Sequence, residues 1–239
     1  MRARLDTVLV DRGLAESREK AKRLILAGAV RVNGQPAGKA SDLVPDDAKL
    51  ELLANEKFVS RGGYKLEAAL DVFHIDCTGK ICTDIGASTG GFTDCLLQRG
   101  AARVHAVDVG KGQLAWKLRQ DSRVVVHDEV NARNLTGEPV DIVTVDVSFI
   151  SLTKVLPAAA QLLRPGGHII ALIKPQFEAG RKFVTKGGVV RDSAVHERVK
   201  KEVVEFATGS LGLQLLGVCD SPLLGPAGNK EFLAGFAKP

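Results

Sequence analysis

The sequence predicts an α/β protein with a doubly wound, mainly parallel sheet, preceded by a small α+β domain. Two observations carry this prediction. Apolar runs alternate with helical patterns over most of the 239 residues, which is typical of parallel sheets. The positive charge is uneven, because residues 1–39 contain nine Lys and Arg against four Asp and Glu, whereas the remainder contains 24 of each. We therefore expect two domains of different character.

The first 54 residues have the pattern of a small helical pair packed on a short sheet. Apolar residues at helical spacing predict two short helices, the first ending at Gly13 and the second at Gly28. Asn33 and Gly34 follow an alternating apolar pattern and predict a tight turn. Residues 49–53 then return as a strand. The cations of the second helix would lie on one solvated surface, which suits a polyanion such as nucleic acid.

Two segments carry a resemblance to a known RNA-binding module. Gly13 to Ala21 reads Gly-Leu-Ala-Glu-Ser-Arg-Glu-Lys-Ala, and Ala27 to Gly34 reads Ala-Gly-Ala-Val-Arg-Val-Asn-Gly. Residues 1–54 thereby resemble the S4 domain, which recognises folded RNA by shape and phosphates. One Tyr and one Trp in the whole chain argue against recognition by base stacking. The resemblance implies RNA contacts by Arg4, Arg18, Lys20, Lys22, Arg23, Arg31 and, beyond the domain, Arg61.

Residues 55–63 are expected to be a linker, and residues 64–239 to be the second domain. A helix with Lys65 at its start should lead into the first strand. The two last strands should form a terminal hairpin. The expected strands are residues 80–85, 104–107, 124–127, 142–145, 168–173, 213–218 and 231–236, and the expected helices are 91–98, 114–120, 152–163 and 194–208.

A glycine-rich turn follows the first of these strands, where nucleotide-shaped cofactors bind in such folds. Its spacing, Asp84 to Asp94, is neither a dinucleotide fingerprint nor a phosphate-binding loop. Asp108 ends the next apolar run, where it could accept hydrogen bonds from a ribose. This arrangement resembles S-adenosylmethionine-dependent methyltransferases, in which Asp128 would face the adenine. The expected cofactor contacts are Asp84, Gly86, Ala87, Ser88, Thr89, Gly90, Gly91, Phe92, Asp108, Val109, Asp128 and Glu129.

Four charged residues stand at the ends of predicted elements that border one crevice. Lys65 begins a helix, Asp146 and Lys174 follow strands, and Glu231 opens the last strand. Each alone would be an ordinary solvated charge at a strand end. Ligands in open α/β sheets bind outside the carboxyl ends of the strands, so their coincidence predicts a catalytic site.

The ordered set Lys65, Asp146, Lys174 and Glu231 resembles the Lys-Asp-Lys-Glu tetrad of FtsJ-like RNA 2'-O-methyltransferases. Together with the S4-like region and the stretches 60–66, 146–152 and 174–178, it makes the chain similar to the TlyA (hemolysin A) family over nearly its whole length. The resemblance implies a class I methyltransferase fold and methylation of a cytidine ribose in ribosomal RNA. Short family members modify the large subunit alone and longer ones modify both, and this chain is similar to the short form.

The chemistry requires a base, because a ribose hydroxyl is a poor nucleophile. A second cation, Lys65, in a partly desolvated cleft would favour the neutral amine of Lys174, which could then accept or relay the hydroxyl proton. Asp146 would orient Lys174, and Glu231 would hold one of the lysines. The sequence leaves open which lysine accepts the proton.

Three other classes of function stay open. Asp146 to Phe149 loosely resembles the motif of base N-methyltransferases, but the two prolines of that motif are missing. A non-catalytic RNA-binding protein would have no need of the four charged residues together. A membrane-active hemolysin is disfavoured because no apolar run is long enough to span a bilayer. We expect a cytoplasmic protein that acts on ribosomal subunits without a metal, and the oligomeric state stays open, with a monomer among the options.

Overall fold

The chain divides into two compact units, residues 1–57 and residues 58–239. The computed structural model describes residues 2–26, 29–45, 47–52, 57–225 and 227–239. The helix stop expected at Gly28 and the expected boundary between residues 54 and 55 lie outside the described residues. Phe58, which belongs to the expected linker, is buried in the core of the second unit.

The first unit packs two helices on two small antiparallel sheets. Asn33 and Gly34 both have positive φ, at 52° and 79°, which confirms the predicted tight turn. One sheet pairs β1 with β4, and the other has the order β3-β2-β5. The elements are β1 (Arg2–Arg4), α1 (Leu5–Asp11), α2 (Arg18–Leu26), β2 (Val30–Val32), β3 (Gln35–Pro36), β4 (Leu43–Pro45) and β5 (Leu50–Leu52).

The second unit is built on a seven-stranded sheet with helices on both faces. In chain order its elements are α3 (Gly62–Val72), β6 (Ile81–Ile85), α4 (Gly91–Gln98), β7 (Arg103–Val107), α5 (Trp116–Arg119), β8 (Val124–His127), β9 (Val140–Val145), α6 (Leu156–Leu162), β10 (Leu163–Ile173), α7 (Pro175–Glu178), α8 (Ser193–Glu205), β11 (Gln214–Asp220) and β12 (Phe232–Ala237).

The strand order is β11-β12-β10-β9-β6-β7-β8. All strands run parallel except β12, which pairs antiparallel with both β10 and β11. The predicted doubly wound sheet and terminal hairpin are thus confirmed. The chain moves outward from β6 through β7 to β8 and then crosses to β9 on the other side. This reversal places the crevice of the fold between the carboxyl ends of β6 and β9.

Several predicted helices are shorter than expected, for local reasons. The helix expected over residues 114–120 begins only at Trp116, since the N–H of Ala115 donates to the carbonyl of Thr89. The helix expected over 152–163 is interrupted, and Pro157 lies in the first turn of α6, where its missing N–H costs nothing. The first helix of the unit begins three residues before Lys65, at Gly62.

Candidate functional site

Lys65 and Glu231 form a buried ion pair. Nζ of Lys65 lies 2.5 Å from Oε2 of Glu231, and the two side chains are only 9% and 1% exposed. Helix α3 carries Lys65, and its apolar face packs in the same core cluster as Leu233 of β12. Arg61, one turn before Lys65, donates to the carbonyl of Leu224 at 2.9 Å. The beginning of α3 is therefore fastened to the segment that leads into β12.

Lys174 and Asp146 form a second ion pair at the ends of adjacent strands. Nζ of Lys174 lies 2.5 Å from Oδ1 of Asp146 and donates to the hydroxyl of Ser148 at 3.1 Å. The N–H of Asp146 donates to the carbonyl of Ile85 at 2.9 Å, which ties the end of β9 to the end of β6. The pair thus borders the crevice at the reversal of strand order.

The sheet register brings the two ion pairs to the same edge. Ile173 of β10 is opposite Phe232 of β12. Lys174 therefore leaves β10 beside the point where Glu231 enters β12. Because β12 runs antiparallel, its beginning reaches the edge where the parallel strands end. The structure thus places all four predicted catalytic residues at one edge, each lysine paired with a carboxylate.

A cavity of about 450 Å³ opens in the crevice beside Asp146. This volume lies within the range of small-molecule sites, which is roughly 300–1,000 Å³. Of the predicted cofactor contacts, the lining includes Gly86, Ser88, Asp108 and Val109. The other lining residues were not predicted, although they follow β7, β8 and β9 where the strand-end rule could have indicated them. They are Val107, Gln113, Val130, Asn131, Ala132, Arg133, Val147, Ser148, Phe149 and Ile150.

Asp108 has the geometry of a ribose acceptor. Its Oδ2 accepts from the N–H of Ser88 at 2.8 Å, and its Oδ1 accepts from the N–H of Gly110 at 2.7 Å. Two backbone donors thereby fix the carboxylate, and each oxygen keeps a lone pair for a hydroxyl group. Ser88 has φ of 47°, an uncommon backbone conformation for a residue other than glycine.

Asp84 does not face the crevice, contrary to the prediction. Its side chain is fully buried and accepts hydrogen bonds from the hydroxyls of Thr93 at 2.7 Å and Thr144 at 2.9 Å. Burial raises the pKa of Asp84 to about 6. The carboxyl group therefore joins β6 to α4 and β9 beneath the turn, and it does not line the cavity.

The glycines of the turn allow close internal packing, where a ligand contact was expected. A Cβ on Gly86 would lie 2.3 Å from the carbonyl oxygen of Asp146. A Cβ on Gly90 would meet the side chain of Leu118, and one on Gly91 would lie 2.9 Å from the backbone nitrogen of Gly63. The cavity lining does not include five of the predicted contacts, all of them buried except Thr89: Ala87, Thr89, Gly90, Gly91 and Phe92.

Asp128 is engaged elsewhere than predicted. Its carboxylate receives two hydrogen bonds from Arg119, at 3.1 and 2.8 Å, and one from the N–H of Gly112. The Arg119 guanidinium holds the pKa of Asp128 below its usual range. Glu129 pairs with Lys111 at 3.1 Å. Neither carboxylate lines the cavity, and the amide side chains of the lining are those of Gln113 and Asn131.

Phe149 is the most exposed large apolar residue near the cavity. Its side chain is 91% exposed, and its φ is 64°, a strained conformation for an aromatic residue. The ring centroid lies 5.0 Å from that of Phe177, which follows Lys174 by three residues. A flat apolar surface therefore stands at the mouth of the site, beside the Lys174 and Asp146 pair.

Three of the predicted RNA contacts form an ion pair within the first unit. Arg4 and Arg18 both lie 3.0 Å from Oδ2 of the buried Asp6, and Arg4 holds the pKa of Asp6 well below its usual range. Lys22 pairs with Glu19 on the surface of α2. The side chains of Lys20, Arg23 and Arg31 are exposed.

A basic segment in the second unit was missed in the sequence. Residues 179–191 contain no Asp or Glu and carry four exposed cations. None of them is in an ion pair with another described residue. Asn229 donates to the carbonyl of Gly188 and accepts from the N–H of Val190, which ties the segment to the residues before Glu231. The four cations are Arg181, Lys182, Lys186 and Arg191.

Within the described residues, no group of three or more His, Cys, Asp or Glu side chains could hold a metal ion. In the same residues, no helix is both long enough and apolar enough to cross a membrane.

Comparison with known proteins agrees with this geometry. The family model of FtsJ-like methyltransferases matches residues 58–238, and that of the S4 domain matches residues 3–49. The 16S/23S rRNA (cytidine-2'-O)-methyltransferase TlyA of Mycobacterium tuberculosis is 50% identical over 237 residues, covering 97% of this chain and 88% of that protein. The 23S rRNA (cytidine-2'-O)-methyltransferase TlyA of Campylobacter jejuni is 34% identical over 250 residues, covering 96% and 97%.

A solved structure of similar extent exists. It is a protein of Streptococcus thermophilus classed with the hemolysins, with a TM-score of 0.75 and 46% identity, covering 99% of this chain and 88% of that one. The sheet order, the paired lysines and carboxylates and these matches lead to one conclusion: the chain belongs to the FtsJ-like methyltransferase family, with an S4 domain at its N-terminal side.

Proposed function

We propose that the protein transfers a methyl group from S-adenosylmethionine to the 2'-hydroxyl of a cytidine ribose in ribosomal RNA. The observation that carries the proposal is the pairing of Lys174 with Asp146 and of Lys65 with Glu231 at one edge of the sheet, beside a cavity of cofactor size. The two TlyA relatives, at 50% and 34% identity, are named for this reaction. Both names include 23S RNA, so the large subunit is the proposed substrate.

The residues around the cavity suit the cofactor. S-adenosylmethionine supplies an electrophilic methyl group when it is bound. Asp108 presents a carboxylate, fixed by two backbone N–H groups, that can accept hydrogen bonds from the two ribose hydroxyls. Gln113 and Asn131 offer amides for the adenine edge, and the apolar Val130 offers a surface for its ring. We assign these roles in place of the roles expected for Asp84 and Asp128.

Lys174 is the proposed proton acceptor. Its Nζ lies between the carboxylate of Asp146 and the hydroxyl of the exposed Ser148. Asp146 holds the amine in place, and Ser148 offers a route by which Nζ can pass a proton to solvent before the reaction. The neutral amine then takes the proton of the 2'-hydroxyl as the oxygen attacks. Lys65, held rigidly by Glu231, is placed to orient the hydroxyl or a neighbouring phosphate.

Phe149 is the proposed platform for the target base. An unpaired base that leaves its stack needs an apolar or aromatic surface to replace its neighbours. The exposed ring of Phe149 stands at the mouth of the cavity and is braced by Phe177. Stacking on an aromatic side chain contributes about 1–3 kcal/mol per base.

The RNA is proposed to contact both units. In the first unit the contacts are the exposed cations of α2 and β2. In the second unit, Arg61 lies one turn before Lys65. The basic segment, residues 179–191, is hydrogen-bonded to Asn229, which lies just before Glu231. A charge reversal, Lys186→Glu, should weaken RNA binding and reduce its dependence on salt concentration, whereas cofactor affinity should not change. The control is Lys201→Glu on α8, where the lysine is also exposed. If the RNA affinities of the two variants depended equally on salt concentration, the basic segment would not contact the RNA.

The activity is tested with purified large and small ribosomal subunits and labelled S-adenosylmethionine. We expect label in the large subunit RNA, at a cytidine whose 3' bond becomes resistant to alkaline cleavage, since that cleavage needs a free 2'-hydroxyl. An RNA with 2'-deoxycytidine at the mapped position should accept no label. Label on that deoxy RNA would indicate a base methyltransferase, and label only in the small subunit would overturn the proposed substrate.

A further inference from the structure

The segment that carries Asp146 is held at only a few points. Residues 146–151 follow β9 and supply Ser148 and Phe149 to the mouth of the site. At the start, the N–H of Asp146 donates to the carbonyl of Ile85. Between 147 and 150, in this fully described stretch, no backbone N–H donates to a backbone carbonyl. Val147 and Ile150 pack against the core, so the contacts at the two ends and this packing together set where the stretch lies.

The far end is held by one carboxylate on the neighbouring element. Oε2 of Glu178 accepts from the hydroxyl of Ser151 at 2.6 Å, and its Oε1 accepts from the N–H of Leu152 at 2.8 Å. Burial raises the pKa of Glu178, as expected for a carboxyl group removed from water. Leu152 is itself buried in the core, which makes the attachment rigid.

Glu178 belongs to the element that begins at Lys174. Lys174 is the residue before α7, and Glu178 is the last residue of that four-residue helix. Within the same turn, Phe177 donates its N–H to the carbonyl of Lys174 at 2.9 Å and contacts the ring of Phe149. Lys174 therefore precedes α7, and Glu178 at the end of the same short helix holds the segment 146–151 by two hydrogen bonds.

We propose that Glu178 is a positioning residue for methyl transfer: by holding Ser151 and Leu152, it sets the segment 146–151 at the distance from α7 at which Asp146 and Ser148 meet Lys174. The inference rests on the proposed function. Glu178 does not line the cavity, and its role runs through the hydrogen bonds that its two oxygens accept from Ser151 and Leu152. Displacement of a reacting group by about 1 Å lowers the rate roughly 100-fold. Loss of the hydrogen bonds from Ser151 and Leu152 to Glu178 should therefore slow methylation.

The test compares Glu178→Ala, Glu178→Asp and Glu178→Gln in single-turnover methylation of ribosomal subunits at saturating cofactor and RNA. The Ala and Asp side chains are too short to contact both Ser151 and Leu152, so these two variants should slow single-turnover methylation by about 10- to 100-fold. The Gln side chain can accept from Leu152 and donate to Ser151, so it should restore the rate to within a few-fold of the unchanged protein. Ser151→Ala keeps the contact between Glu178 and Leu152, so its methylation rate should lie between those of Glu178→Ala and the unchanged protein. Its effect on the rate should not add to that of Glu178→Ala.

The controls separate positioning from folding and from the function itself. Glu205→Ala removes an exposed carboxylate on α8 and should leave the rate unchanged. Cofactor affinity and the unfolding midpoint are measured on each variant, and if Glu178→Ala does not fold, Ser151→Ala and Glu178→Gln carry the test. A normal rate in Glu178→Ala, or a loss in Glu178→Gln equal to that in Glu178→Ala, would overturn the proposal. Absence of methylation by the unchanged protein would instead reject the proposed function.

Discussion

Lys65 and Glu231 are held together by burial as well as by charge: Nζ and Oε2 are 2.5 Å apart, and neither side chain has more than a tenth of its surface exposed. A buried charge without its partner is costly, and removal of one member of such a pair costs about 3–5 kcal/mol. Loss of either residue should therefore lower both the stability of the second unit and the proposed activity.

We expect Lys65→Ala and Glu231→Ala each to lower the free energy of unfolding by about 3–5 kcal/mol and to abolish methylation. The double change Lys65→Met with Glu231→Leu removes both charges and should recover most of the stability without recovering activity. Denaturant unfolding and methylation assays on the same preparations check this. Breaking the exposed pair of Lys201 and Glu205 should change stability by only about 0.5 kcal/mol or less. Methylation by the double variant would show that the pair serves the fold alone.

Replacement of Lys174 tests the proton acceptor. Lys174→Ala should slow single-turnover methylation by about 100- to 10,000-fold, because it removes a general base, while cofactor and RNA affinities stay nearly unchanged. Lys174→Arg should not rescue the rate, since a guanidinium stays protonated at any usable pH. The exposed Lys154→Ala serves as the control. Substantial activity in the Arg variant would assign the base to Lys65 or to solvent.

Asp108 and Asp128 should differ in their effect on cofactor affinity. Asp108→Ala removes the acceptor that Ser88 and Gly110 fix at the cavity, and we expect S-adenosylmethionine to bind about 10- to 100-fold more weakly, as for the loss of hydrogen bonds to a charged group. Asp128→Ala should have a smaller effect, because that carboxylate is held by Arg119 outside the cavity. Calorimetric titration of both variants checks the order, and the reverse order would restore Asp128 as the adenine contact.

Asp84 should make stability depend on pH in the sense opposite to most carboxylates. Its pKa is raised by burial to about 6 in the folded protein from 3.8. The protonated Asp84 carboxyl therefore contributes fully to stability below pH 3.8, and this contribution is lost as the pH rises through about 6. By pH 7 the free energy of unfolding should have fallen by on the order of 3 kcal/mol. Asp84→Asn should remove this difference between acid and neutral pH.

Denaturant unfolding between pH 4 and pH 8 measures the effect. The control is Asp121→Asn: hydrogen bonds from Arg123 lower the pKa of Asp121, so the stability that Asp121 provides is lost as the pH falls. Parallel stability curves for Asp84→Asn and the unchanged protein would show that the Asp84 carboxyl stays ionised in the fold.

The four residues of the proposed catalytic set were visible in the sequence because each adjoins a strand or helix that the apolar pattern defines. A parallel sheet brings the ends of its strands to one edge, so the local pattern was enough to predict that Asp146 and Lys174 lie together. The antiparallel direction of the last strand then accounted for Glu231. The pairing of Lys65 with Glu231 depends on how α3 packs across β12, which no local pattern encodes.

Other features could not be predicted because a distant partner decides them. Gly86 lines the cavity as expected, but its close approach to the carbonyl oxygen of Asp146 was not visible in the sequence. Asp84 was expected at the crevice, but Thr93 and Thr144 bind it from two other elements. In each case, a contact with another element of the fold determines the position.

The place of β12 within the sheet has a consequence for biosynthesis. The final strand in the sequence is an interior strand, lying between β10 and β11. During translation, those two strands must wait with unpaired edges until the last strand emerges, and exposed edges of this kind favour association with other chains. The same event brings Glu231 to Lys65. A nascent or prematurely terminated chain would therefore be prone to aggregate, and it would also lack one of the two ion pairs of the proposed catalytic set.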